Sequence, residues 1–333
     1  MDTTNLYCLG DLHLSVNNEW RFEIGSRFLD WFEQTQVEKD SYFLCLGDYA
    51  DEAVNPGEIL GQLIRFFNII SSKFKHSYLL VGNHDLKLYK NKPTLSIEGA
   101  NNYPNITILR KPAETVHVGA IKVLSLPYYN HIKNVIPMYD YYNNLPKNIL
   151  DSEYDLVVGH FASKSSKFPF IGNTVDLSKI KTKHICLGDI HTKVTSDYIG
   201  SATVCKISEE DPGISDRAIW QYTKQGNNIY KSEINIPISC KYREIIYPEE
   251  MVETHPVTIW SVRKAPSEAE VLRKYPGKFI RACYYDDKEE DTKISSSEDF
   301  KINSPLTVFT QWKEEKNIIL SRRVSSIIKT LLT

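Results

Sequence analysis

Three apolar runs in this chain end in glycine and then aspartate: Cys8-Leu9-Gly10-Asp11, Cys45-Leu46-Gly47-Asp48 and Cys186-Leu187-Gly188-Asp189. Two more end in Gly82-Asn83-His84-Asp85 and Gly159-His160, and Asp11 and Asp189 are each followed two residues later by a histidine, His13 and His191. Carboxylates brought together repel one another unless a positive charge sits between them, and a neutral imidazole beside them is a common metal ligand. A pair of divalent cations about 4 Å apart, sharing one carboxylate, would stabilise both the attacking and the leaving oxygen of a phosphoryl displacement. A lone Asp-x-His is more often a surface acid near a core histidine. Five such endings in one chain point to a metal site.

The elements that must position these residues follow from the apolar pattern. Short apolar runs at residues 6–9, 42–46, 78–81, 121–126, 156–158 and 184–187 read as strands, and residues 24–34 and 59–74 carry apolar side chains at helical spacing. Strands interleaved with helices predict a layered α/β domain, with each Asp at the carboxyl end of its strand, the edge where open α/β sheets hold ligands. From about residue 194 the pattern becomes strand, turn, strand, with Gly226-Asn227-Asn228 as the turn of a hairpin that closes a first domain at residues 1–237. Residues 238–285 read as a small cap, with strands at 257–262 and 279–285 and a helix at 266–275 between them. Residues 286–302 are a polar linker rich in Asp, Glu, Lys and Ser, and residues 303–333 a C-terminal helical segment with Ile318, Ile319, Val324, Ile327, Ile328, Leu331 and Leu332 at roughly helical spacing. That last helix either packs on its own protein or docks on a partner.

With 333 residues, 41% hydrophobic and 25% charged, the chain falls in the ordinary globular range, which excludes a disordered, collagenous or coiled-coil character. A net charge of -2 leaves no global positive field to advertise nucleic acid, although a local basic groove is compatible with it. No run approaches the roughly 18 apolar residues of a membrane span and the first residues have no signal-peptide form, so a cytoplasmic protein without membrane contact is expected. The six cysteines lack metal-binding spacing and read as reduced core thiols.

In this order, the five endings resemble the calcineurin-like metallophosphoesterase superfamily, whose pattern is Asp-x-His, Gly-Asp, Gly-Asn-His-Asp, Gly-His and Gly-His-x-His. The resemblance spans residues 6 to about 235 and implies a layered β-sandwich flanked by helices, to which the cap and the C-terminal helices are added. It also implies that Asp11, His13 and His191 hold one metal, that Asp48 bridges both, and that Asn83, His160 and Asp189 hold the other. His84 would stabilise the transition state and protonate the leaving oxygen, with Asp85 orienting it. Asp189 departs from the pattern, standing where the first histidine of the last motif is usual. Either it ligates through oxygen, which tilts the site toward manganese or magnesium and away from zinc, or it stands one layer outside the metal.

Overall length, the stretch from Asp211-Pro212 to Arg217 leading into the strand at 220–222, and the order of cap, linker and helix look like the nuclease subunit of the SbcCD-type DNA repair complex, in its phage-like version. That resemblance implies a Mn2+-dependent DNA exonuclease and endonuclease, with Mg2+ as a substitute, working in recombination, repair or replication. Its partners would be DNA and an SbcC-like coiled-coil ATPase, and it would form a homodimer through the helices at 24–34 and 59–74. Family nucleases often carry a histidine shortly after the bridging aspartate, where this chain has Asp51. The loop Ser163-Lys164-Ser165-Ser166-Lys167-Phe168 is either a phosphate-contacting stretch or a solvated loop. The rival reading is a stand-alone phosphatase or a cyclic or small-molecule phosphodiesterase. A non-catalytic scaffold is disfavoured, because nearly every ligand position keeps a metal-binding residue.

Overall fold

The computed structural model describes residues 3–16, 19–51, 57–89, 92–129, 131–132, 136–166, 174–204, 217–238, 240–253, 257–264 and 267–284. The linker, the C-terminal helical segment, residues 211–216 and the end of the 163–168 loop therefore lie outside the described residues. In chain order the two main sheets are built from β1 (Thr3–Leu9), β2 (Tyr42–Cys45), β3 (His76–Leu80), β4 (Ile106–Leu109), β5 (Glu114–Val118), β6 (Ile121–Leu126), β7 (Glu153–His160), β8 (Lys181–Gly188), β9 (Ala218–Gln225) and β10 (Asn228–Asn235). A six-stranded sheet runs β10-β9-β1-β2-β3-β4 and a four-stranded sheet runs β8-β7-β6-β5. β1 to β4 are parallel neighbours, as are β6, β7 and β8, whereas β9 and β5 are added antiparallel. β9 and β10 form the expected hairpin, Gln225 pairing with Asn228 across a two-residue turn.

The central strands carry apolar runs, such as residues 6–9, 43–45 and 156–158, because both of their faces are covered there. Along β1, Leu6 and Cys8 point between the two sheets, against Leu44, Val123, Leu156, Val158, Cys186 and Trp220. The intervening Tyr7 and Leu9 point outward, toward α1 (Glu19–Gln34) and α2 (Gly57–Lys73), where Phe28, Phe32, Phe43, Phe66 and Phe74 fill the layer. The period-2 alternation of a strand thus feeds two cores at once. The outer face of the four-stranded sheet packs beneath α3 (Met138–Asn143) through Leu124, Val157, Leu187, Met138 and Tyr142. The result is helix, sheet, sheet, with a thinner α3 layer, as the layered α/β sandwich requires.

The cap contains one strand more than the sequence pattern shows. Three parallel strands, β11 (Lys241–Ile246), β12 (Thr258–Arg263) and β13 (Phe279–Tyr284), lie in that order, with α4 (Glu268–Lys274) connecting the last two. Ser267 caps α4 by accepting a hydrogen bond from the Glu270 amide, the arrangement that satisfies a helix's first free donors. Residues 1–285 form one compact unit, and the cap meets the start of α1 through Trp20, Ile24, Cys240, Val257 and Ile259. Cys8, Cys45, Cys186 and Cys240 are buried and outside any disulfide. Among the described residues no helix is long and apolar enough to cross a membrane.

Candidate metal centre

Parallel pairing sends β1, β2 and β3 toward one edge of their sheet and β7 and β8 toward one edge of theirs, and the loops leaving these strands meet. The turn after β1 is stitched to the turn after β2: the amides of Leu12 and His13 both donate to the Asp48 carbonyl at 3.0 and 2.8 Å, and the Leu14 amide donates to the Tyr49 carbonyl. The segment after His191 closes the third side. Ala202 donates to the Asp11 carbonyl at 2.7 Å, and Ser201 to the His191 carbonyl at 2.9 Å. Two glycines make this convergence sterically admissible. Gly47 has φ +110°, and a Cβ there would lie 2.7 Å from His160 Nδ1; a Cβ on Gly82 would lie 2.2 Å from Asp48 Oδ1. His13, Asp48 and Asp189 themselves have φ of 46°, 51° and 78°, left-handed conformations that cost of order 1–3 kcal/mol each and persist only where surrounding structure enforces them.

Two groups of ligand atoms result, each within 4.8 Å: Asp11 with His13 and His191, and Asp11 with Asp48 and His160. Asp11 is common to both. Asp48 also spans them, its Oδ2 lying 3.6 Å from His13 Nε2 and 3.2 Å from His160 Nε2. Asn83 joins the second group, with Oδ1 2.8 Å from His160 Nε2. Asp189 stands at the margin: its amide donates to Asp11 Oδ2 at 3.0 Å, while its carboxylate is 29% exposed and reaches only to 3.9 Å from His160 Nε2. All seven residues expected to hold metal therefore come to one place from five separate chain segments.

The chemistry of this donor set fits cations. Asp11 is fully buried, and its Oδ1 has no hydrogen-bond donor. Burial raises its carboxyl to about 7, opposed by the attraction of His160. His160 donates Nδ1–H to the Leu46 carbonyl at 2.7 Å, which aims Nε2 at Asn83 Oδ1 and Asp48 Oδ2. Burial disfavours its charged form, but Asp48 and Asp11 outweigh this and hold the imidazole well above its usual range. Asp48, although burial works the other way, is held well below the ordinary carboxylate range by His160. His13 Nε2 and His191 Nε2 face each other at 3.0 Å. Buried acceptors pointed at one another, with a carboxylate oxygen left unpartnered, are what divalent cations would satisfy while displacing the proton from His160.

Around the ligands lies a second layer that the sequence did not reveal. Asp51 accepts from His13 Nδ1 at 3.1 Å and from Arg21, which grips it with both terminal nitrogens. His84, beside the expected metal positions, donates Nδ1–H to the Asp51 backbone carbonyl at 2.6 Å, and its ring meets the edge of His13 at 5.1 Å between centroids. The expected partnership of His84 with Asp85 is not formed. Asp85 is fully buried and accepts from the amides of Asp48, Tyr49 and Gly82 and from Ser96 Oγ, at 2.8–3.1 Å. It therefore fixes the turn that carries Asp48, and the Asp51 carbonyl does the orienting. The only sequence signal for Asp51 is its place three residues after Asp48. Arg21 offers none beyond lying in the first turns of α1.

A family model described as calcineurin-like phosphoesterase matches residues 4–193, the segment that supplies every ligand described above. No curated protein matches the chain. Among solved structures, a protein of unknown function from Aquifex aeolicus is similar at 13% identity with a TM-score of 0.29, covering 54% of this chain and 88% of its own. Because the family match extends over more than half of the sequence, the chain belongs to the calcineurin-like phosphoesterases, a family of metal-dependent hydrolases.

Proposed function

We propose that the protein is a Mn2+-dependent DNA exonuclease and endonuclease that works with a coiled-coil ATPase. The observation that carries the hydrolytic part is the pair of ligand groups joined by Asp11 and Asp48, with His84 held beside them. Asp11, His13 and His191 would hold one cation, and Asp48, Asn83, His160 and Asp189 would complete the other. Bound there, two divalent cations supply Lewis acidity to phosphoester oxygens and lower the pKa of a water. Oxygen donors outnumber nitrogens around the second position, which favours Mn2+ or Mg2+ over Zn2+.

His84 has Nδ1 committed to the Asp51 carbonyl, so Nε2 is the atom from which a proton would pass to the leaving 3′ or 5′ oxygen. Asp85, by gripping the amides of Asp48 and Tyr49, keeps the shared carboxylate in place during that transfer. The choice of DNA rests on the resemblance in the cap, linker and C-terminal order. The cap beside α1 gives a second surface on which a duplex would rest, and the segment at 303–333 would dock on the ATPase. Leu60 and Ile64, one turn apart on α2 and 48% and 45% exposed, support a homodimer through the helical layer; a monomer by light scattering at micromolar concentration would remove that part of the reading.

The test is cleavage of end-labelled duplex DNA with Mn2+, Mg2+ or EDTA, run beside H84A and D48A and beside a bis-aryl phosphate. Cleavage that needs Mn2+ and disappears in both variants is expected. Hydrolysis of the aryl phosphate with DNA left intact, even with a candidate ATPase added, would replace the nuclease reading by a stand-alone phosphatase or small-molecule phosphodiesterase.

A further inference from the structure

Asp51 belongs to neither ligand group, yet side chains hold both of its carboxylate oxygens. Its Oδ1 receives Arg21 Nη2 at 2.8 Å and His13 Nδ1 at 3.1 Å, its Oδ2 receives Arg21 Nη1, and its backbone carbonyl receives His84. Arg21 Nη2 also reaches the His13 carbonyl at 3.3 Å. The side chains are 3% exposed for His13, 17% for Asp51 and 11% for Arg21, so this contact is made away from bulk water.

The arrangement has a chemical consequence for His13. A neutral imidazole carries one proton, and whichever nitrogen holds it cannot bind a metal. An acceptor on Nδ1 places the proton there and leaves the Nε2 lone pair toward Asp11 and His191. Arg21 grips both Asp51 oxygens in a two-point fork, so that Asp51 stands as an oriented acceptor for the Nδ1 proton. The same fork fixes the carboxylate plane, and with it the angle of the imidazole.

We infer that Arg21 and Asp51 are positioning residues, an ion pair that locks His13 in the Nδ1-protonated tautomer and so sets the affinity of the metal position His13 shares with Asp11 and His191. This rests on the metal-centre reading above. Residues that orient a ligating histidine typically change metal affinity by about 10–100-fold when removed.

The experiment is calorimetric titration of the full-length protein with Mn2+ alone, comparing wild type, D51N and R21Q, with long-range 1H–15N NMR of the His13 ring in the metal-free protein. The His13 signal is assigned by its loss in H13Q. Wild type should take up two Mn2+ and show the Nδ1-protonated tautomer; each variant should bind one Mn2+ about 10–100-fold more weakly, leave the other unchanged, and show a mixed or reversed tautomer. R21Q leaves the Asp51 carboxylate in place and carries the comparison should D51N fail to fold. Unchanged affinity at both positions, equal weakening at both, or an Nε2-protonated His13 in the wild type overturns the inference while leaving the metal centre standing. A wild type that binds no Mn2+ overturns the metal-centre reading, and this inference with it.

Discussion

Replacing Asp11 by asparagine should make the metal-free protein more stable at alkaline pH while abolishing its response to metal. Asp11 is fully buried with one oxygen unpartnered, and burial moves its carboxyl from the ordinary 3.8 to about 7. Because the folded state holds this proton more tightly than the unfolded chain, the stability it contributes is complete below pH 3.8 and is lost as pH rises through 7. The shift corresponds to about 4 kcal/mol of destabilisation in EDTA at pH 8, from 1.36 kcal/mol per unit. Asparagine removes that charge but sets a buried amide where Oδ1 has no donor, an unsatisfied group costing about 1–3 kcal/mol. The net expectation is a gain of about 1–3 kcal/mol for D11N at pH 8 that shrinks toward zero or reverses at pH 5, read by urea denaturation in EDTA. Saturating Mn2+ should raise the melting temperature of wild type and leave D11N unmoved. A D11N protein less stable than wild type in EDTA at pH 8, or stabilised by Mn2+ as strongly as wild type, would refute the assignment of Asp11 as a charged carboxylate that cations neutralise.

Three further outcomes follow from the same geometry. H84A should lower kcat on a bis-aryl phosphate by about 10²–10⁴-fold, the usual worth of a general acid, while calorimetry still counts two Mn2+, because its imidazole is held by a backbone carbonyl outside the ligand groups. G82A should lose a metal equivalent by elemental analysis and fall in activity with it, since the new methyl would sit 2.2 Å from Asp48 Oδ1 and 2.5 Å from the Asp48 amide nitrogen. D155N tests the far end of the sandwich. Asp155, on β7, accepts from the Lys122 amide on β6 at 3.0 Å, from Lys183 on β8 at 2.9 Å, and from Lys224 on β9 of the facing sheet. Although burial works against it, these donors bring its carboxyl down to about 2. That stability is present above pH 3.8 and lost as pH falls through 2, so D155N should cost about 2 kcal/mol at pH 7 in urea denaturation and leave the Mn2+ stoichiometry unchanged.

What could be read in the sequence and what could not divide along a physical line. The carboxyl-terminal parts of β1, β2, β7 and β8 are buried on both faces and read as short apolar runs, and the polar residue that follows each run marks the edge of the sheet; this made Asp11, Asp48, His160 and Asp189 visible before their meeting was. β5 and β11 escaped notice for the opposite reason. Glu114–Val118 alternates half-buried and exposed positions up to the buried Val118 at a sheet edge, and Lys241–Ile246 carries Lys241, Arg243 and Glu244 in six residues, so neither offers an apolar run. The layer that orients the ligands is illegible in another way. His84 and Asp85 are adjacent in the chain, yet the turn sends the histidine to the exposed side and the aspartate fully inward, so adjacency suggested a pair that the fold separates. Arg21 and Asp51 lie 30 residues apart and meet because α1 begins where it does. Each residue of a helix turns about 100° from the last, and α1 buries Trp20 and Ile24 with the cap and Phe28 and Phe32 in the helical layer, so the packing of that apolar face sets where Arg21 lies. The pairing is thus a consequence of how a helix packs, which no motif around Asp51 or Arg21 could have announced.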